Sequence, residues 1–275
     1  VTMEIGYMST QSLNNRHAIS STKLNGKFDY NDYSKDAIDY INSLDMTFFR
    51  INKSFRHGLT ITTIPYNDSK AQGYFGTPSY DSFNQKFYIR FLEELDIIEK
   101  GIELKSRYSI GLIFQPLLWS IASVKYHLSD KPDNLAMMLG YVPIAQFGDV
   151  IIYKNNHFIP LGFTYNQYVP LSQFRKLTQN QKQVILQKAF VAEEPIDCEV
   201  KKKLKEINLR DMTKNRTTYD YFHDIELLKQ NTLNISKFSQ NYINGKIKLD
   251  APKLLFFSIP YDKSWNAIID EKRVE

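Results

Sequence analysis

GYFGTPSYDSFNQKFYIRFLEELDII, residues 73–98, divides into two halves of different character. In the second half Phe83, Phe87, Phe91, Leu95 and Ile98 recur at helical spacing, which places them on one face of a helix. Ser82 stands at the cap position with Gln85 three residues on, the spacing of a capping box. Gly101 stands where such a helix would stop. The first half, Gly73 to Asp81, has neither a helical nor a strand period. It crowds Tyr74, Phe75 and Tyr80 between two glycines and Pro78. A loop held by a rigid helix is where binding groups tend to sit.

Outward from this stretch the chain reads as alternating helices and strands. Upstream, residues 1–33 are polar and aperiodic and are expected to form an extended lead-in. Asp32 or Ser34 then caps a short helix bearing Ala37, Ile38, Ile41 and Leu44. MTFFRIN (46–52) and Leu59–Ile64 read as strands. Downstream, Pro116 opens a helix, followed by the strand VKYHL (124–128), while Leu135–Val142 fits either state. DVIIY (149–153) is a strand, Asn155-Asn156 turns the chain, and Phe158–Tyr165 is its expected partner. Thr178 and Gln181 make a second capping box. Glu193–Leu209 reads as a charged helix and Thr217–Lys229 as an amphipathic one. From Thr232 the period changes to two, and LNISKFS, YINGKIKL, KLLFFSIP and WNAIID read as a four-strand antiparallel meander with Asn244-Gly245 as a turn.

The expected fold class is α+β: a mixed sheet flanked by helices, followed by an antiparallel β-rich, sandwich-like module. The expected divisions are a helix-flanked mixed-sheet domain over 1–191, a helical connector over 192–231 and the β module over 232–275.

Composition narrows the function. The 275 residues are 43% hydrophobic and 14% aromatic, enough for a real core. A net charge of +5, with one dense basic run at Lys201–Lys205, gives no basis for a nucleic-acid partner. The single cysteine, Cys198, excludes an internal disulfide and a thiolate metal cluster. His17, His57, His127, His157 and His223 are not at metal-ligand spacing, and no nucleotide, hydrolase or zincin motif is present. No metal, cofactor or catalytic residue is assigned. No charged and apolar leader opens the chain, and no apolar run reaches the length of a membrane span. Both features fit a piece of a larger membrane protein, as do the abrupt ends at Val1 and Glu275.

Two constellations remain as candidate binding residues. One is the loop with Tyr74, Phe75, Tyr80 and Asp81. The other is the turn with Tyr261, Asp262 and Trp265. Aromatic faces beside hydrogen-bonding groups suit sugars, whose C–H faces stack on rings. The plain alternative for each is a structural turn whose rings plug the edge of a core.

The segment SIPYDKSWNAIIDEKRV (258–274) resembles the S-(I/L)-P-Y-D-x-G-W-x-x-x-(V/I)-D-G-K-x-V segment of the YfhO family of bacterial membrane proteins. PLLWSIASVKYHLS (116–129), DVIIYKNNHFIPLGFTY (149–165), TFFRINKS (47–54) and GYFGTPSYDSFNQK (73–86) resemble further segments of that family, in its order. Ser264 and Glu271 stand where the family usually has glycine. The resemblance implies the extracytoplasmic domain of a polytopic protein similar to GT-C glycosyltransferases, sitting at the cell membrane. It implies as partners the membrane-embedded remainder of the same polypeptide, a polyprenyl-phosphate-linked sugar and a cell-surface glycopolymer. The family's presumed catalytic carboxylate lies in a membrane-domain loop outside this chain, so the domain itself is expected to recognise acceptor or act as a lid. A binding or assembly module of a transporter or flippase of lipid-linked material is the rival reading, and a stand-alone sugar-binding protein a third.

Overall fold

The expected strand VKYHL forms as Val124–Ser129 and lies inside a four-stranded mixed sheet. All but one of its residues are buried, the pattern of a strand covered on both faces. The computed structural model describes residues 2–15, 20–24, 26–58, 63–209 and 221–274. The fold is α+β.

In chain order the first elements are helices α1 (Thr2–Asn14), α2 (Ser21–Leu24) and α3 (Tyr33–Leu44), strand β1 (Arg50–Lys53), α4 (Asp68–Gln72), β2 (Ser79–Tyr80) and α5 (Lys86–Glu94). Then come α6 (Glu103–Arg107), β3 (Tyr108–Ser109), α7 (Pro116–Trp119), β4 (Val124–Ser129), α8 (Asn134–Met138), β5 (Tyr141–Phe147) and β6 (Val150–Asn155). These lead to β7 (Gly162–Tyr165), β8 (Gln167–Pro170), α9 (Leu171–Phe174), α10 (Gln179–Ile185), β9 (Phe190–Ala192), α11 (Cys198–Lys203), β10 (Lys205–Glu206) and α12 (Tyr221–Lys229). The last strands are β11 (Asn234–Ser239), β12 (Tyr242–Lys246), β13 (Leu254–Phe257), β14 (Ala267–Ile269) and β15 (Lys272–Val274).

The main sheet has the order β1-β4-β6-β5, with β1 parallel to β4 and the other pairs antiparallel. Alternation along β6 supplies both of its faces. Val150 and Ile152 meet α3 through Ala37, Ile38 and Ile41, while Tyr153 faces the larger core with Leu118, Trp119 and Phe163. α3 is capped as expected, by Asp32 accepting from the Ser34 N–H at 3.0 Å. The capping box at Thr178 and Gln181 also forms, at the head of α10.

The helix of the opening stretch forms as α5, but later than its phenylalanine spacing predicts. Gln85, not Ser82, is its cap, accepting from the Tyr88 N–H at 2.7 Å. Asp81 accepts from the Phe83 N–H at 3.0 Å and turns the chain before the helix begins, so Phe83 is left 93% exposed. The buried side of the segment is Leu92, Leu95 and Ile98. Its stop is Asp96 rather than Gly101. Asp96 takes φ 56°, Asp96 N–H donates to Glu93 O, and Ile97 N–H reaches Leu92 O at 2.9 Å, a Schellman ending.

Several other expectations are corrected. Residues 1–33 are not wholly extended, since they contain α1, α2 and a 3₁₀ turn at Asp29–Asn31. The MTFFRIN strand is shorter than expected, starting at Arg50. The Leu59–Ile64 strand lies largely outside the described residues. Phe158–Tyr165 does not partner DVIIY, because β6 already has β4 and β5 as neighbours. Glu193–Leu209 is not one helix: Pro195 follows a cis peptide, α11 begins only at Cys198, and β10 follows it beside β8. The C-terminal strands are antiparallel but form no four-strand meander. β11 pairs β12, β14 pairs β15, and β13 reaches back to pair with β7. Asn244-Gly245 lies within β12. A side chain at Gly245 would press on the Asn234 carbonyl at 2.7 Å, so this glycine serves close strand approach rather than a turn.

Candidate functional site: the loop and groove at helix α5

The loop before α5 is clamped on both sides. Gly73 takes the left-handed conformation that closes α4, at φ 74°. The Tyr88 hydroxyl donates to Thr77 O at 2.7 Å, and the Leu112 N–H donates to Thr77 Oγ1 at 3.0 Å. Gly111 passes so close that an added Cβ would lie 2.4 Å from the Thr77 carbonyl carbon. Backbone held this tightly presents its side chains in fixed directions.

Those directions separate the four candidate residues of the loop. Tyr74 points inward and packs on the core beneath α3. Burial pushes its phenol well above the ordinary range, helped by Asp68 and Asp32. Phe75 is exposed and packs on Phe48, with ring centroids 5.1 Å apart, and on Phe238 at 6.1 Å, while its carbonyl accepts from the Ile51 N–H. Tyr80 lies against Tyr108 at 4.5 Å, and Tyr108 meets Tyr66 edge-on at 5.5 Å. Asp81 accepts from the Phe83 N–H, which holds its carboxyl below the usual range, and Lys70 at 3.6 Å adds to this. Tyr74 is thus half-buried against the core, while Phe75, Tyr80 and Asp81 are at the surface.

The second constellation is brought to the same helix. Gln85 Nε2 donates to the Tyr261 carbonyl at 2.5 Å while its Oε1 caps α5, and Phe87 meets the Tyr261 ring edge-on at 5.3 Å. Asp262 accepts from the Ser264 N–H at 2.8 Å, which holds its carboxyl low and closes the turn. Trp265 stays exposed, its backbone N–H donating to Asp262 O at 3.0 Å.

Beyond the loop a groove of about 430 Å³ runs along α5, bordered by Phe83 and Asn84 at one end and reaching Arg175. None of the seven candidate residues lines it. Its walls carry five cations, Lys86, Arg90, Lys100, Arg107 and Arg175, and three carboxylates, Glu93, Glu94 and Glu103. Arg175 Nε donates to Glu94 at 2.8 Å, Arg107 pairs with Glu103, and Arg90 meets Glu193 at 2.7 Å. The bond from Arg175 holds the Glu94 carboxyl low, which suits a fixed anion and not a proton donor. The signal for this groove in the sequence was the solvent face of the same amphipathic helix.

Three polar ties were not read from the sequence. Lys53 is enclosed with Asp68 at 2.7 Å, Gln72 at 3.3 Å and Asp32 at 3.5 Å. His127 joins Asn52 and Asp133, each at 3.0 Å, and stacks on Trp119, so it packs and holds α8 to the sheet. Arg50 donates to Ala122 O and Ser258 O, each at 2.8 Å, and burial lowers its pKa to about 10. The signal for these ties was the polar trio Arg50, Asn52 and Lys53 inside FFRINK. Among the described residues no group of three or more histidine, cysteine or acidic side chains could hold a metal ion.

Arg50 and Ser258 belong to two of the segments whose resemblance was noted, TFFRINKS and SIPYD. A family model for the bacterial membrane protein YfhO matches residues 1–221 and 189–275. The chain belongs to the YfhO family. No curated protein and no solved structure matches it. Among the described residues no helix is long and apolar enough to cross a membrane. Ser264 and Glu271, noted above as departures from the segment this chain resembles, sit in backbone of different cost. Ser264 sits in a turn with ordinary φ, its N–H bonded to Asp262, whereas Glu271 takes φ 65° in the β14–β15 turn.

Proposed function

We propose that this chain is the extracytoplasmic, non-catalytic part of a membrane glycosyltransferase of the GT-C kind, recognising acceptor or acting as a lid over a membrane-embedded active site. The donor in this reading is a polyprenyl-phosphate-linked sugar, the acceptor a cell-surface glycopolymer, and the nearest partner the membrane-embedded remainder of the same polypeptide. The supporting observation is the groove along α5. It is open and lined by ion pairs and the Asn84 amide, with the exposed ring of Phe83 at one end. Sugars are held by that combination of a stacking ring and planar hydrogen-bonding groups. Two of its three carboxylates, Glu94 and Glu103, are engaged by arginines and Glu93 accepts from the Gly101 N–H, which favours holding a ligand over transferring protons to it.

The test is titration of the purified chain with oligosaccharides released from cell-surface polymers, beside Phe83→Ala and Arg107→Ala variants. The expected result is saturable binding that weakens about tenfold or more in each variant with the melting temperature of Phe83→Ala unchanged. Absence of binding to every such oligosaccharide, or binding that both variants retain in full, would overturn the glycan reading.

A further inference from the structure

We infer that Phe87, the Tyr261–Trp265 turn and the β14–β15 hairpin form a surface that rests in the headgroup zone of a lipid bilayer. None of Phe87, Tyr261, Trp265, Ile268 or Ile269 lines the groove, so this inference is independent of the glycan reading. Tyr261 is 61% exposed, Ile268 70% and Ile269 55%, with Phe87 and Trp265 also open to solvent. The patch is held in place, because Gln85 bonds the Tyr261 carbonyl and Phe87 packs on its ring.

The hairpin says what kind of partner fits. All six paired residues of β14 and β15 are exposed. Strand alternation puts Ile268 on one face and Ile269 with Val274 on the other, so apolar groups are open on both sides. A two-stranded hairpin alone is marginal in water. A flat protein surface packed on one side would cover only one of these faces, whereas the headgroup zone is in contact with both faces of a hairpin that rests in it. The mixture of side chains is that of the membrane interface. Tyrosine and tryptophan keep a polar end wet while burying a ring. Lys86, Lys263, Lys272 and Arg273 can lay their stems on the apolar layer and meet anionic headgroups. Asp262 is folded back on Ser264, and Asp270 and Glu271 at the hairpin tip limit insertion to headgroup depth. The family is one of membrane proteins, so a bilayer is at hand.

Trp265 is a direct reporter, since the other of the two tryptophans, Trp119, is 3% exposed. The full chain is mixed with vesicles of phosphatidylcholine containing phosphatidylglycerol, with and without brominated acyl chains. The expected result is a blue shift of Trp265 emission, quenching by the brominated lipid, and loss of both signals in Trp265→Phe. A paired Ile268→Ser and Ile269→Ser variant should partition at least about tenfold more weakly with its melting temperature kept. Trp265 emission unmoved by vesicles would overturn the inference. So would undiminished vesicle binding by the paired variant, or a concentration-dependent dimer abolished by the same substitutions, which would make a second copy the occupant.

Discussion

The guanidinium of Arg50 donates to the carbonyl of Ser258, 208 residues further along the chain, at 2.8 Å. The Ser258 hydroxyl lies 2.9 Å from that of Ser123, and the Arg50 N–H bonds Ser123 O. One side chain therefore joins the start of the main sheet, the turn after α7 and the segment leading to Tyr261. Arg50→Met keeps the stem but leaves two carbonyls without their donor. It is expected to lower the unfolding free energy by about 2–3 kcal/mol, read from the urea midpoint. An unchanged midpoint would show that water replaces the guanidinium without loss.

Lys53 is a stronger case, because both of its carboxylate partners are buried. Lys53→Met would leave Asp32 and Asp68 facing each other without the ammonium between them. The expected cost is about 3–5 kcal/mol. Adding Asp68→Asn removes one of the two carboxylates, which without Lys53 keep His57 beside Asp32 and Arg56 beside Asp68, and should recover part of it, which a set of thermal melts would reveal.

Asp45 gives a pH dependence with a definite sign. Burial acts to raise its pKa, but hydrogen bonds from Lys125 and Thr47 outweigh this and hold it at about 2, below the ordinary 3.8. A group whose pKa is depressed by folding contributes stability above its unfolded value, and that contribution is lost as pH falls through the folded one. Stability should therefore decline between about pH 4 and pH 2, and Lys125→Met, which removes a bond that holds the pKa low, should shrink this decline. Denaturant midpoints taken across that range for both proteins test it. Superimposable acid profiles would mean that the Asp45–Lys125 pair does not act in the folded state.

Glu271 carries a backbone cost that glycine would avoid. It and Asp270 take φ 65° and 48° in the two-residue turn between β14 and β15. A turn with two left-handed residues favours Asp-Gly. Glu271→Gly is expected to steady the hairpin by about 1 kcal/mol, slowing amide exchange at Ala267–Ile269. Faster exchange would mean that the glutamate side chain holds the turn through contacts that outweigh its strain.

The legible parts of the fold are those decided by neighbours in the chain. Thr178 and Gln181 announced the head of α10 because a capping box is complete within one turn. VKYHL and DVIIY announced β4 and β6 by apolar density, and Leu95 and Ile98 are buried on the face read for them, whereas Leu92, which that face left out, is buried with them. Half of the candidate site was legible in the same way. Aromatic crowding marked both the 73–81 loop and the Tyr261 turn. It did not show that Tyr74 turns inward while Phe83, counted as helix face, turns out.

By itself the sequence determined the α+β class, the caps of α3 and α10 and the family, all of which follow from local spacing and residue type. Tertiary structure alone decided that β13 bonds β7 instead of its neighbours, that Gln85 ties the Tyr261 turn to α5, and that a groove opens beside that helix. The physical reason is that backbone donors and acceptors are alike in every residue. Which strands meet is therefore settled by how their side chains share a core, and that is a property of the whole packed chain.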